Sequence, residues 1–235
     1  QISGTNPEKI GKLMRDLMVH EQFEIEVLER MKSRKLLDPL VFGGGTMLRL
    51  CYDLNRYSLH LDFWFIKAID KAGFHKKMKS FLSQNYMLSD AASKHFTLLY
   101  EFRSPNYPKH LKIEIRKETK TCKWKETIAF SKQGTVQVLV KAMTLDQMMR
   151  NKIEALLNRG EIRDAFDMEF MLRKGVTIPA SREELEGIMK KVQRFKGRDF
   201  SVTLGSLVEK ETRDYYRKNG FEYLIGTIRK LLSAS

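Results

Sequence analysis

The stretch that decides the fold is Phe42-Gly43-Gly44-Gly45-Thr46, followed by Arg56-Tyr57-Ser58-Leu59-His60-Leu61-Asp62-Phe63. Leu40-Val41-Phe42 is a short apolar run, Gly43 to Thr46 reads as a turn, and Thr46 to Leu54 reads as a helix. A glycine turn that opens a helix exposes backbone N–H groups at the helix N-terminus, which is a ready place for phosphate. Thr46 adds a hydroxyl there. On its own a Gly-Gly-Gly-Thr run is equally compatible with an ordinary tight turn.

Leu59 to Ile66 is apolar and aromatic apart from His60 and Asp62, so it reads as a strand. Side chains alternate along a strand, which puts positions 60 and 62 on one face. A carboxylate flanked by Leu61 and Phe63 is costly unless it meets a cation or an open strand end. Glu114 repeats the pattern in Leu111-Lys112-Ile113-Glu114-Ile115. Two acids in otherwise apolar strands suggest neighbouring strands aiming carboxylates at one point. A hard ion such as Mg²⁺, which takes oxygen ligands and nucleotide phosphates, suits such a point. The simpler alternative pairs each acid with a nearby Lys or Arg.

Outward from this stretch the chain is mixed. Asn6-Pro7-Glu8 reads as an N-cap, a first-turn proline and an early acid, opening a helix to about Arg34 with a break near His20. Asp70 to Leu82 is a second helix. Phe96 to Phe102 and Leu111 to Ile115 alternate as strands joined through Ser104-Pro105-Asn106-Tyr107-Pro108. Thr127 to Phe130 and Thr135 to Val140 are further short strands. From Thr144 the periodicity becomes helical: 144–158, 163–173, 182–194 and 221–232. The reading is therefore an α/β (α+β) part with a mixed sheet over 1–143 and a helical C-terminal region over 144–235.

Composition narrows the function classes. The 235 residues are 42% hydrophobic and 31% charged, which is globular and argues against disorder or coiled coil. No apolar run approaches the roughly 20 residues of a membrane span, and the start has no signal-peptide pattern. The chain opens at Gln1 without a Met, so a few leading residues are expected to be missing. Two cysteines, Cys51 and Cys122, outside any C-x-x-C, fit a reducing cytoplasm. Lys and Arg number 43 against 29 acids, a net charge of +14, which favours encounter with polyanions, nucleic acid and nucleotides first.

At this point the residues resemble a family. Gly44-Gly45-Thr46, then Arg56-x-Ser58 and an acidic strand ending Asp62-Phe63, is similar to the signature of the AbiEii/AbiGii-type nucleotidyltransferases. These are toxin components of type IV toxin–antitoxin and phage abortive-infection systems, within the DNA polymerase β-like nucleotidyltransferase superfamily. Lys112-Ile113-Glu114-Ile115 resembles the second motif. Lys152 in Asn151-Lys152-Ile153-Glu154, and Arg163-Asp164-Ala165-Phe166-Asp167, resemble the third and fourth. The likeness spans about Leu40 to Leu172.

The resemblance implies a minimal nucleotidyltransferase core and transfer of a nucleoside monophosphate from an NTP to RNA, such as tRNA, or to a protein acceptor. It implies a cleft between core and helical region that holds the nucleotide, a cytoplasmic setting, a cognate antitoxin and no membrane. It assigns Gly44, Gly45 and Thr46 to the phosphates, with Arg56 and Ser58 supporting that loop. It assigns Asp62 and Glu114 to metal and catalysis, Lys152 to the triphosphate, and Asp164 and Asp167 to the helical half of the site.

One departure matters. The family's Asp-x-Asp falls on positions 60 and 62, and this chain has His60. Mg²⁺ prefers oxygen, and imidazole suits Mn²⁺ or Zn²⁺ better. His60 is therefore an altered metal ligand or the mark of a weakened enzyme. The alternative function is a catalytically degenerate nucleotide- or RNA-binding homologue, and a third is a protein that acts by contact alone.

The remaining candidates carry less. Arg163 and Asp167, four apart, fit a simple helix salt bridge. Phe63, Trp64 and Phe65 read as packing more than base stacking. His20, His75, His95 and His110 lack metal spacing. Met143, Met148, Met149, Met168 and Met171 read as core. The basic runs Lys76-Lys77, Lys117 to Lys125 and Lys190-Lys191 to Arg198 read as solvated faces, or together, with Trp124 and Phe195 interleaved, as a track for an RNA backbone.

Overall fold

Alternating apolar residues in the first part build one seven-stranded sheet. The computed structural model describes residues 7–234. Asn6, read as a helix cap, lies outside them. The strands are β1 (Leu40–Gly43), β2 (His60–Phe65), β3 (Met87–Ser93), β4 (Thr97–Arg103), β5 (Leu111–Thr119), β6 (Trp124–Phe130) and β7 (Gln137–Met143). Their order across the sheet is β3-β4-β5-β2-β1-β7-β6. β1 runs antiparallel to β2, while β2 with β5 and β1 with β7 are parallel, so the sheet is mixed.

The chain divides into two compact units. One comprises the residues up to Asp53 with Tyr57–Met143, and the other comprises Leu54–Arg56 with the chain from Thr144 on. In the sheet unit, α1 (Pro7–Ser33) is one uninterrupted helix, so the break expected near His20 does not occur. Its buried residues run through that point: Leu17, His20, Phe23, Ile25, Val27, Leu28 and Met31 are all buried. α3 (Lys71–Asn85) is capped by Asp70, whose carboxylate accepts the N–H groups of Ala72 and Gly73. Phe23 of α1 meets Phe102, and Phe74 of α3 meets Phe65, both edge to face.

Strand register shows why one sheet face is apolar and the other is chemical. Leu61 pairs with Ile113, which pairs with Tyr100, and Phe63 pairs with Ile115, which pairs with Leu98. The intervening residues turn the other way: His60 against Lys112, Asp62 against Glu114, Trp64 against Arg116. The period-two alternation of β2 and β5 thus separates a core face from a polar one.

The second unit is helical: α4 (Leu145–Arg159), α5 (Ile162–Arg173), α6 (Arg182–Val192), a π-helical turn at Asp199–Leu204, α7 (Lys210–Asn219) and α8 (Glu222–Ala234). Thr144 caps α4 through the Gln147 N–H, Gly160 closes it in a left-handed conformation, and Ser181 with Glu184 forms a capping box on α6. Met148, Met149, Met168 and Met171 are buried as expected, and Met143 is buried at the end of β7. Buried Glu169 joins three helices: it accepts from Arg173, from the Tyr216 hydroxyl at 3.0 Å and from the Leu224 N–H at 3.0 Å.

Candidate active site

The glycine run does not form a separate turn. β1 extends through Gly43, and α2 (Gly44–Tyr52) begins at the next residue. Gly44 has φ +78°, and a Cβ there would stand 2.3 Å from the Asp62 Oδ2. Gly44 therefore lets the start of α2 lie directly against the Asp62 carboxylate, with Gly43 opposite Asp62 in the β1–β2 ladder. At Gly43 a Cβ would meet the Trp64 ring at 2.6 Å. Negative charge at a helix N-terminus is electrostatically favoured.

Asp62 and Glu114 are direct partners on adjacent parallel strands, and both are half-buried. His60 lies two residues before Asp62 on the same face and is exposed. The Lys112 ammonium pairs with Glu114. Burial alone would raise the Glu114 carboxyl. The bond and charge of Lys112 outweigh it and, with His60 and Arg116 adding, hold the group below its usual range. Lys112 stood inside the motif quoted above; its spacing of two from Glu114 was the available signal.

Thr46 is fully buried, and its hydroxyl is engaged within the protein. It lies 2.7 Å from the His60 carbonyl and 3.4 Å from Glu24 Oε1. Burial and the nearby Glu21 raise the Glu24 carboxyl well above its ordinary value. The Thr46 hydroxyl donates to the His60 carbonyl and, at the longer distance, faces the Glu24 carboxyl as a donor, tying α1, the first turn of α2 and the start of β2 together. Close by, Glu21 accepts from Arg49 and from Ser131 at 2.5 Å, and Arg49 stacks 3.8 Å over the Tyr57 ring. Sequence reasoning missed Glu21 and Glu24. Their only mark was that they flank Phe23 in an apolar helix face.

In the helical unit a buried ion network gathers Arg56, Lys152, Asp164 and Asp167. Arg56 grips Asp167 bidentately at 2.6 and 2.7 Å. Lys152 lies 2.9 Å from Asp164 and 2.7 Å from Asp167. Arg159, which follows Lys152 in the same motif and carries no role in the sequence reading, adds a bidentate bond to Asp164 at 2.8 Å on both arms. Burial would raise both aspartates. Arg159 and Lys152 hold Asp164 below the usual carboxylate value, and Arg56 and Lys152 do the same for Asp167. Arg163 pairs with Glu161 rather than with Asp167.

The donor set bears on a metal. Mg²⁺ in nucleotide sites is commonly held by one or two carboxylates, with phosphates and water completing the shell. Asp62 and Glu114 meet that requirement. Among the described residues no group of three or more His, Cys, Asp or Glu side chains forms a ready cage. The pair thus fits an ion that arrives with nucleotide phosphates.

A mixed sheet that places a helix N-terminus beside paired carboxylates, followed by a helical unit, is the architecture of a nucleotidyltransferase. The model of the AbiEii nucleotidyl transferase toxins of type IV toxin–antitoxin systems matches residues 26–222, and the chain belongs to that family. In structure it is similar to the nucleotidyltransferase toxin MenT4 of Mycobacterium tuberculosis H37Rv (13% identity, 94% of this chain and 90% of that one, TM-score 0.55). It is also similar to JHP933 of Helicobacter pylori (19% identity, 98% and 97% covered, TM-score 0.46). A third is an antigenic nucleotidyltransferase-like protein of Paracoccidioides brasiliensis (16% identity, 83% and 96% covered, TM-score 0.48). The MenT4 likeness speaks to the fold alone. No curated protein matches the chain significantly in sequence. No helix among the described residues is long and apolar enough to cross a membrane.

Proposed function

We propose that this member of the toxin family transfers a nucleoside monophosphate from an NTP to an RNA acceptor such as tRNA, with a protein side chain as the other acceptor class. The observation that carries the proposal is the Asp62–Glu114 pair beside Gly44 at the start of α2. The acceptor oxygen forms a bond to the α-phosphorus, the bond from that phosphorus to the bridging oxygen breaks, and pyrophosphate leaves. The acceptor's proton passes to a carboxylate of the pair. The N–H groups of Gly45 and Thr46 face the phosphates, while the Thr46 side chain holds the loop. Ser58 supports the same segment.

Asp62 and Glu114, with His60 beside them, would hold Mg²⁺ or Mn²⁺, which when bound neutralises charge on the phosphates and the leaving group. Lys112 would then give up Glu114. In the helical unit Lys152 has three N–H donors, two of them taken by Asp164 and Asp167. The third is the one we assign to a triphosphate oxygen. Asp164 and Asp167 orient Lys152, and Arg56 anchors Asp167. The setting we propose is the cytoplasm, with a cognate antitoxin.

His60 supports a second reading, a homologue that binds nucleotide or RNA without chemistry. The two readings separate when the full chain is incubated with each α-labelled NTP, Mg²⁺ or Mn²⁺, and total tRNA or candidate proteins, beside Asp62→Ala and His60→Asp. Transfer that disappears in Asp62→Ala is the expected result. Transfer seen only in His60→Asp means that the native chain is attenuated. Binding without transfer in every variant means that it is a binding protein.

A further inference from the structure

The helical unit contains a cavity of about 780 Å³ that shares Arg159 with the ion network above. Its walls are the α4–α5 junction, the C-terminal end of α6 with the residues after it, and the π-helical turn. That volume lies in the range of ordinary ligand pockets. Four cations line it: Arg159, Arg163, Lys191 and Arg194. Two acids line it too, but both are already engaged. Glu161 is bridged by Arg159 and Arg163, and Asp199 accepts the Lys196 N–H at 2.8 Å. Among the described residues Lys191 and Arg194 enter no ion pair.

The lining is arranged for more than one kind of contact. Gly160, with φ +67°, lets the Lys191 stem lie close: a Cβ there would meet Lys191 Cδ at 3.3 Å. Phe195 is partly buried, its ring set edge to face with Phe200 at 6.5 Å and Phe221 at 6.0 Å. Thr203, on the exposed side of the π-helical turn, adds a hydroxyl. π-helical turns recur at functional sites. Unpaired cations beside an aromatic face are what a nucleic-acid single strand takes, its phosphates on the cations and a base on the ring.

We propose that this cavity seats the phosphodiester backbone of a single-stranded stretch of RNA. The inference deepens the acceptor assignment above and rests on its choice of RNA. Lys191 and Arg194 contact successive phosphates, and Phe195 stacks on a base between them.

The test is binding of a labelled single-stranded RNA oligonucleotide to the full chain, followed by fluorescence anisotropy from about 50 to about 200 mM salt. Lys191→Gln with Arg194→Gln should weaken binding about tenfold at low salt and reduce the slope of log affinity against log salt by about 1.4, for two single-strand phosphates. Lys191→Arg with Arg194→Lys should bind as wild type does. Thr203→Glu, which adds a negative charge at an exposed position, should also weaken binding. Lys76→Gln with Lys77→Gln, removing the same charge from α3, should have a much smaller effect. Unchanged affinity and slope in the glutamine pair, or an equal loss in the α3 pair, overturns the proposal. So does a wild-type chain that binds no RNA, an outcome that leaves transfer to a protein acceptor standing. Failure of the transfer reading shows instead as absent label transfer by a chain whose cavity still binds RNA.

Discussion

The Asp62 carboxylate occupies the space that a side chain on Gly44 would need. A Cβ at Gly44 would come 2.3 Å from Asp62 Oδ2, and Gly44 has φ +78°. Gly44→Ala therefore carries two penalties. The left-handed backbone costs about 1–2 kcal/mol for a residue with a Cβ, and the methyl group displaces the carboxylate. The expected outcome is a lower urea midpoint together with a loss of NTP-dependent chemistry larger than the stability change explains. A variant that keeps wild-type activity would separate Asp62 from the reaction.

The bond between Arg56 and Asp167 carries the second prediction. Removing one partner of a buried, hydrogen-bonded pair costs about 3–5 kcal/mol when the other charge is left unpaired. Asp167 keeps Lys152 at 2.7 Å, so Arg56→Ala should cost about 3 kcal/mol, the low end of that range, by denaturant unfolding. Arg56→Lys should recover only part of it, since an ammonium cannot reproduce the bidentate fork.

Acid should expose the same network. Asp164 and Asp167 ionise below their ordinary value of 3.8 in the folded chain. Their contribution is complete above that value and is lost as pH falls below it through their folded values. Thermal melting followed from pH 5 downward should therefore steepen below about pH 4. Asp164→Asn should be less stable at neutral pH and lose less on acidification. Parallel curves for the two proteins would contradict the assignment.

His20 gives a prediction at milder pH. It is fully buried, neither ring nitrogen makes a hydrogen bond of ordinary geometry among the described residues, and Glu24 lies 3.7 Å away. Burial lowers its pKa from 6.5 to about 4, with Lys109 and His60 adding and the Leu59 backbone opposing. The unfolded chain thus binds the proton first. Stability is complete above 6.5 and declines as pH falls toward 4, by about 3 kcal/mol in all. His20→Leu should flatten that decline in a melting series. Glu24, whose raised carboxyl acts in the opposite sense and which touches His20, is removed from the comparison by running both proteins with Glu24→Gln.

The strands that carry the chemistry were legible because their alternation is strong: Leu61, Phe63, Ile113 and Ile115 mark one face and leave Asp62 and Glu114 on the other. β3 was not, because Met87-Leu88-Ser89-Asp90-Ala91-Ala92-Ser93 lies at the sheet edge and is mostly exposed, so no apolar alternation is required of it. α7 was missed for a related reason: it is rich in charge and buries only Tyr216. The departure of Leu54–Arg56 to the helical unit left no local signal either, since it depends on the ion pair of Arg56 with a residue more than a hundred positions away. The roles of Glu24 and Arg159 were hidden likewise, because each is defined by its partners in space.

The most direct measurement of the central claim compares one NTP labelled on its α-phosphate with the same NTP labelled on its γ-phosphate, in the presence of Mg²⁺ and total tRNA. Wild type is run beside Asp62→Asn and Glu114→Gln. The account requires label in the acceptor from the α-position only, pyrophosphate as the second product, and at least about a hundredfold loss in both variants, as expected when a group that stabilises the transition state is removed. Transfer from the γ-position, or α-transfer undiminished in both variants, would contradict it.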